Sequence, residues 1–115
     1  MQTYKRYCKS LTLIDDQELI LGYIAVHAKG KVWPVITQGM KDVGILDMEI
    51  YLLENRLFMI MDTVVDFDHE KDLAALAKMP RQSEWEDYVA QFQNSSETAS
   101  ADQKWQLMER IYKLD

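Results

Sequence analysis

In the stretch YIAVHAKGKVWPVI a histidine, His27, stands one helical turn after Tyr23 and shortly before the Trp33-Pro34 pair. With an unperturbed pKa near ~6.5, imidazole can both give and take a proton at neutral pH. A lone histidine on an apolar helical face is more often a hydrogen-bonded packing residue than a proton carrier. Tyr23 changes that balance, because its phenol can bind a substrate hydroxyl or orient the ring, and Trp33 adds a flat apolar wall. Flat walls suit sugars: a pyranose shows hydroxyls at its edge and C–H groups on its face, so its sites combine aromatic surface with a few directed polar groups. Trp33, Trp85, Trp105, Tyr23 and Tyr88 are available for the surface, and Asp47, Glu49, Asp62 and Glu86 as acceptors. Of these, Trp105 and Tyr88 read more simply as core residues, and most of the carboxylates as solvated faces.

The elements that must hold these residues follow from periodicity. Residues 4–13 alternate as a strand does. Asp15, with Glu18 three positions on, opens a helix with a capping-box pattern. Leu19, Tyr23 and His27 then recur at intervals of four and share one face of that helix. Gly30 breaks the helix and Pro34 starts the next, whose stripe of Ile36, Met40 and Val43 stops at Gly44. Residues 47–53 and 56–63 form a hairpin about Glu54-Asn55. Residues 66–78, with Asp68 near the cap, and residues 83–93, with Trp85, Tyr88, Val89 and Phe92 on one side, are the third and fourth helices. The polar stretch NSSETASADQ reads as a mobile surface connection, and residues 105–114 as a last strand.

Strand, two helices, hairpin, two helices and strand is an α+β order. It fits one antiparallel sheet with helices on a single face, a ferredoxin-like sandwich. In LFMIMD the first five residues, Leu57 to Met61, are apolar at both parities, so the second sheet face is expected to be covered. A second copy packed sheet to sheet, as in a dimeric α/β barrel, is the expected cover, giving a homodimer; the alternative is the chain's own C-terminal segment.

The 115 residues suffice for a single domain over 1–115, and an apolar share of 48% with 28% charged residues is that of a folded chain. A formal charge of −6 disfavours a nucleic acid partner, which needs clustered Lys and Arg. Cys8 is the one cysteine, read as a core residue of the first strand, and fits a reducing compartment. The polar N-terminus MQTYKRYCKS lacks a signal peptide's apolar stretch, and no run approaches the ~20 apolar residues of a membrane span. A cytoplasmic location and no membrane partner are expected. His69, within DFDHEKD, reads as solvent-facing and has no ligand-type spacing to His27, so no metal site is expected. Phosphate-loop, G-x-S-x-G and H-E-x-x-H patterns are absent, and no cofactor is expected.

GYIAVHAKGKVWPVI, GILDMEIYLLENRLFMIM and SEWEDYVAQF together resemble the L-rhamnose mutarotase family, and the likeness runs from KRYCKSLTL to KWQLMERIY. The resemblance implies a dimeric α/β barrel that interconverts the α and β anomers of L-rhamnose without a cofactor. It implies that His27 is the proton donor, Tyr23 the substrate-binding tyrosine and Trp85 the first of a tryptophan pair in the sugar site, with Trp33 behind them. Two positions depart from the rhamnose pattern: Met48 stands where a substrate-contacting tyrosine is found, and Glu86 where the second tryptophan would be. They alter the pocket's contacts and leave the acid/base residue in place, so L-fucose or another 6-deoxy sugar fits as well. The rival readings are a cofactor-independent monooxygenase or small decarboxylase on the same fold, and a non-catalytic sugar-binding or dimerisation module.

Overall fold

The computed structural model describes residues 3–93 and 104–114. Its elements are β1 (Lys5–Thr12), α1 (Gln17–Val26), α2 (Pro34–Asp42), β2 (Ile45–Leu53), β3 (Arg56–Thr63), α3 (His69–Ala77), α4 (Gln82–Ala90) and β4 (Gln106–Leu107). The strands form one antiparallel sheet in the order β2-β3-β1-β4, the ferredoxin-like order expected from the sequence. The sheet is open in the single chain. No helix among the described residues is long and apolar enough to cross a membrane.

Strand parity decides where the core lies. Along β3 the odd residues Leu57, Met59, Met61 and Thr63 are buried, and Tyr7, Lys9 and Leu11 of β1 lie opposite Met61, Met59 and Leu57. All four helices pack on this face, where Ile20, Tyr23, Ile36, Leu76, Trp85 and Val89 join the strand residues in one cluster. The other face carries Arg6, Cys8, Ser10, Phe58, Ile60 and Asp62. Cys8 is therefore half-buried opposite Ile60 and outside the helix-covered core, which corrects the core position expected for it.

β2 reaches its inward parity through an irregularity. Ile45 pairs with Thr63 but Asp47 with Asp62, so Leu46 is an extra residue in the ladder. A one-residue bulge exchanges the two faces of everything beyond it. Met48 and Ile50 consequently join Met61 and Met59 on the helix side, while Asp47 and Glu49 join Asp62 and Ile60 on the other. Just before it, Gly44 has φ +104, and a Cβ there would lie 2.9 Å from Val64 Cγ2. Gly44→Ala should cost more than about 1 kcal/mol, read as a fall in the denaturant midpoint with an unchanged slope.

Several local expectations shift. The cap of α1 is Asp16, whose carboxylate accepts from the Leu19 amide at 3.1 Å, and not Asp15. α4 starts at Gln82, with Arg81 before it in the left-handed region at φ 63. His69 does not face water: it is half-buried with its ring 5.0 Å from that of Tyr7. The last strand keeps only Gln106 and Leu107 paired, after a buried Trp105, and residues 108–114 continue outside any strand. Ile111 is 91% exposed and Tyr112 72%, so this segment does not cover the sheet of its own chain. The stretch 94–103, expected as a surface connection, lies outside the described residues.

Candidate active site

α1 delivers Tyr23 and His27 together because residues four apart stack on one helical face. Gly22 lets the Phe92 ring press on the helix, its absent Cβ being 2.7 Å from Phe92 Cε1, and Tyr23 is buried beside the same ring. His27 is the C-cap residue, and its ring turns back so that Nδ1 lies 2.9 Å from the Tyr23 carbonyl oxygen. A carbonyl can only accept, so Nδ1 carries the hydrogen and Nε2 is the nitrogen left for a ligand. The two rings stack with centroids 4.1 Å apart, which fixes the plane of the imidazole.

Burial holds His27 below the usual histidine range, against the opposing pull of its bond to the Tyr23 carbonyl. Burial likewise pushes the Tyr23 phenol up, with the Gln93 side chain opposing, so Tyr23 is a neutral hydroxyl at physiological pH. The sign of the histidine shift sets a stability trend. Between its folded pKa and the ordinary 6.5, the unfolded chain binds a proton there that the folded chain refuses. Its contribution is thus complete above that range and is lost as pH falls through it. The urea midpoint should decline from pH 7.5 to 5.5, and His27→Gln should remove that part of the decline.

A cavity of about 520 Å³ opens in front of these residues, between the helices and the inward face of the sheet. That volume lies within the ~300–1,000 Å³ of small-molecule sites. Tyr23, His27, Met48, Trp85 and Glu86 all line it. Trp85, buried on α4, sets its ring edge-on to His27, with centroids 5.5 Å apart. Trp33 is placed differently. It packs behind Trp85 at 5.1 Å, with Tyr88 stacked on it at 5.6 Å and the Arg81 guanidinium 4.5 Å from its ring centre, and supports the wall from outside. Tyr88 is accordingly 40% exposed and not the core residue expected. Of the acceptors named from sequence, Glu86 is half-buried and receives a hydrogen bond from Gln82 Nε2 at 3.0 Å, whereas Asp47 is exposed at the cavity's edge with its carboxylate on the Met48 amide.

Three buried polar residues of the lining were not foreseen. Lys9, 3% exposed in β1, shares the parity of Tyr7 and Leu11, and that parity was the signal available for it. Gln82 shares the stripe of Trp85, Glu86 and Val89 on α4, and Gln93 follows just beyond the end of that helix.

Comparison with known proteins decides the lineage. The sequence profile of the family described as L-rhamnose mutarotase matches residues 6–114. The chain belongs to the L-rhamnose mutarotase family. Among its relatives is an L-fucose mutarotase of Xanthomonas campestris pv. campestris, 33% identical over 110 residues, covering 96% of this chain and 88% of that one. A UPF0734 protein of Dictyostelium discoideum is 32% identical over 116 residues, covering 97% and 91% respectively. The crystal structure of an L-rhamnose mutarotase from Formosa agariphila superposes with a TM-score of 0.69 over 96% of this chain and 99% of that one; at 20% identity this likeness shows the mutarotase fold.

Proposed function

We propose that this member of the mutarotase family interconverts the α and β anomers of a 6-deoxy hexose, and that L-fucose is exchanged faster than L-rhamnose. The observation that carries the reading is His27 on the lining of a sugar-sized cavity, its Nδ1 bound to the Tyr23 carbonyl so that Nε2 is left for a ligand. The whole-length likeness to an L-fucose mutarotase supports the choice of sugar, as do Met48 and Glu86 where the rhamnose pattern has aromatic residues.

The chemistry follows from the groups present. The protonated form of His27, the minority form at neutral pH because burial lowers its pKa, donates from Nε2 to the ring oxygen as the C1–O bond opens, and Glu86 takes the proton of the anomeric hydroxyl. Rotation about C1–C2 and closure on the other face of the aldehyde return both protons. Glu86 is preferred to Asp47 as the base because its carboxylate lies on the cavity wall and is oriented by Gln82. Tyr23 and Met48 contact the sugar, Trp85 supplies the flat face, and Trp33 braces it. General acid/base assistance of ~10²–10⁴ is enough for a reaction that already proceeds in water.

The working form in this reading is a cytoplasmic homodimer of single-domain chains, joined through the outward sheet face. Phe58 and Ile60 on that face, the exposed Tyr51 and Leu53 of β2, and the exposed Ile111 and Tyr112 support it. Saturation-transfer NMR on L-fucose and L-rhamnose, with oxygen uptake recorded in parallel, tests the activity. Accelerated exchange without oxygen uptake is expected; oxygen uptake, or binding without exchange, would move the protein to one of the rival classes. Sedimentation equilibrium should give twice the 13.5 kDa of one chain.

A further inference from the structure

Two residues of the cavity lining, Gln82 and Gln93, carry buried amide oxygens that have no role in the mechanism above. Gln82 is 4% exposed, and its Nε2 donates to Glu86 Oε2 at 3.0 Å. An ionised carboxylate only accepts, so this bond fixes which end of the amide is nitrogen and which is oxygen. The remaining Oε1 is buried, with no hydrogen-bond partner among the described residues. Gln93 lies eleven positions on, beyond the end of α4. It is 7% exposed, its backbone is anchored by a bridge to Leu13, its side chain hydrogen-bonds Tyr23, and its Oε1 is likewise buried without a partner. Both residues line the same cavity as His27.

A buried acceptor left unsatisfied is costly, and folded proteins rarely keep one without a reason. Two on the lining of one cavity are a pair of acceptors for which the described residues provide no donor. Hydroxyl groups are such donors. We propose that Gln82 and Gln93 are specificity-determining residues that each accept a hydrogen bond from a different ring hydroxyl of the sugar. Gln82 also positions the Glu86 carboxylate through its amide nitrogen. This rests on the sugar reading of the cavity and extends it: the protein recognises hydroxyl positions by amide carbonyls, and the aromatic wall recognises only the ring face. L-Fucose and L-rhamnose differ in configuration at C2 and C4, so acceptors fixed at two points can separate them.

The inference is tested by binding, independently of exchange. Quenching of tryptophan fluorescence would be titrated with L-fucose, L-rhamnose and the 2-, 3- and 4-deoxy analogues of L-fucose, on the parent protein and on Gln82→Met and Gln93→Met. Each variant should bind L-fucose roughly tenfold to a hundredfold more weakly. That penalty should collapse for the one analogue that lacks the hydroxyl it reads, a different analogue for each glutamine. Equal penalties across the whole panel, or none, would overturn the proposal, as would failure of every sugar to bind. A variant that does not fold leaves the parent's own panel to decide: two of the three deoxy sugars should lose at least about tenfold and the third should not, and three equal affinities would refute the assignment. Binding that follows this pattern without anomer exchange would refute the mutarotase reading and leave the two acceptors standing.

Discussion

His27→Ala should slow protein-catalysed anomer exchange by about 10²–10⁴-fold while the chain stays folded. The ring is a half-buried cap at the end of α1, so its removal costs one hydrogen bond to the Tyr23 carbonyl and the contacts with Tyr23 and Trp85. It does not empty the centre of the core. His27→Gln keeps an amide able to donate to the carbonyl but cannot titrate near neutrality, and should be as slow as the alanine variant. If the glutamine variant recovered the parent's rate, the imidazole would be a packing residue. Saturation-transfer NMR measures the rate, and a circular-dichroism melt of each variant separates lost chemistry from lost fold.

Trp85→Ala carries the largest expected loss of stability, about 3–5 kcal/mol. The indole is buried and is the common neighbour of His27 after α1, Trp33 before α2 and Tyr88 on α4 itself, so truncation leaves a hole that these three rings must try to fill. Since a domain of this size is stable by only ~5–15 kcal/mol, the variant should show a sharply lowered urea midpoint. Trp85→Phe retains most of the apolar volume and should fold, yet bind the sugar more weakly because less flat surface remains. The two substitutions thus separate the indole's packing role from its role as a sugar wall.

What the sequence disclosed and what it hid have a common physical cause. The face shared by Tyr23 and His27, the proline start of α2 and the hairpin between residues 53 and 56 depend on spacing within a few residues, and the structure has all three. The choice between Asp15 and Asp16 as cap does not, because both are carboxylates; it is settled by the turn in which the Asp16 amide meets the Ile14 carbonyl. The bulge at Leu46 exists only in the pairing of two strands, although the switch from an inward Ile45 to inward Met48 and Ile50 marks it in retrospect. For the last strand, alternation alone suggested a length that pairing with β1 limits to two residues. In the site, His27, Tyr23 and Trp85 were visible by residue type and spacing. Gln82 escaped because the fourth helix was expected to begin one residue later, and Lys9 because a lysine in a strand usually points to water.

The proposed catalysis requires the meeting of one nitrogen, His27 Nε2, with one oxygen, that of the sugar ring. A crystal structure of the protein soaked with L-fucose measures it directly. The pyranose should lie in the cavity against Trp85, with its ring oxygen within about 2.6–3.2 Å of His27 Nε2. A sugar bound elsewhere, or seated in the cavity with its ring oxygen turned away from that nitrogen, would contradict it.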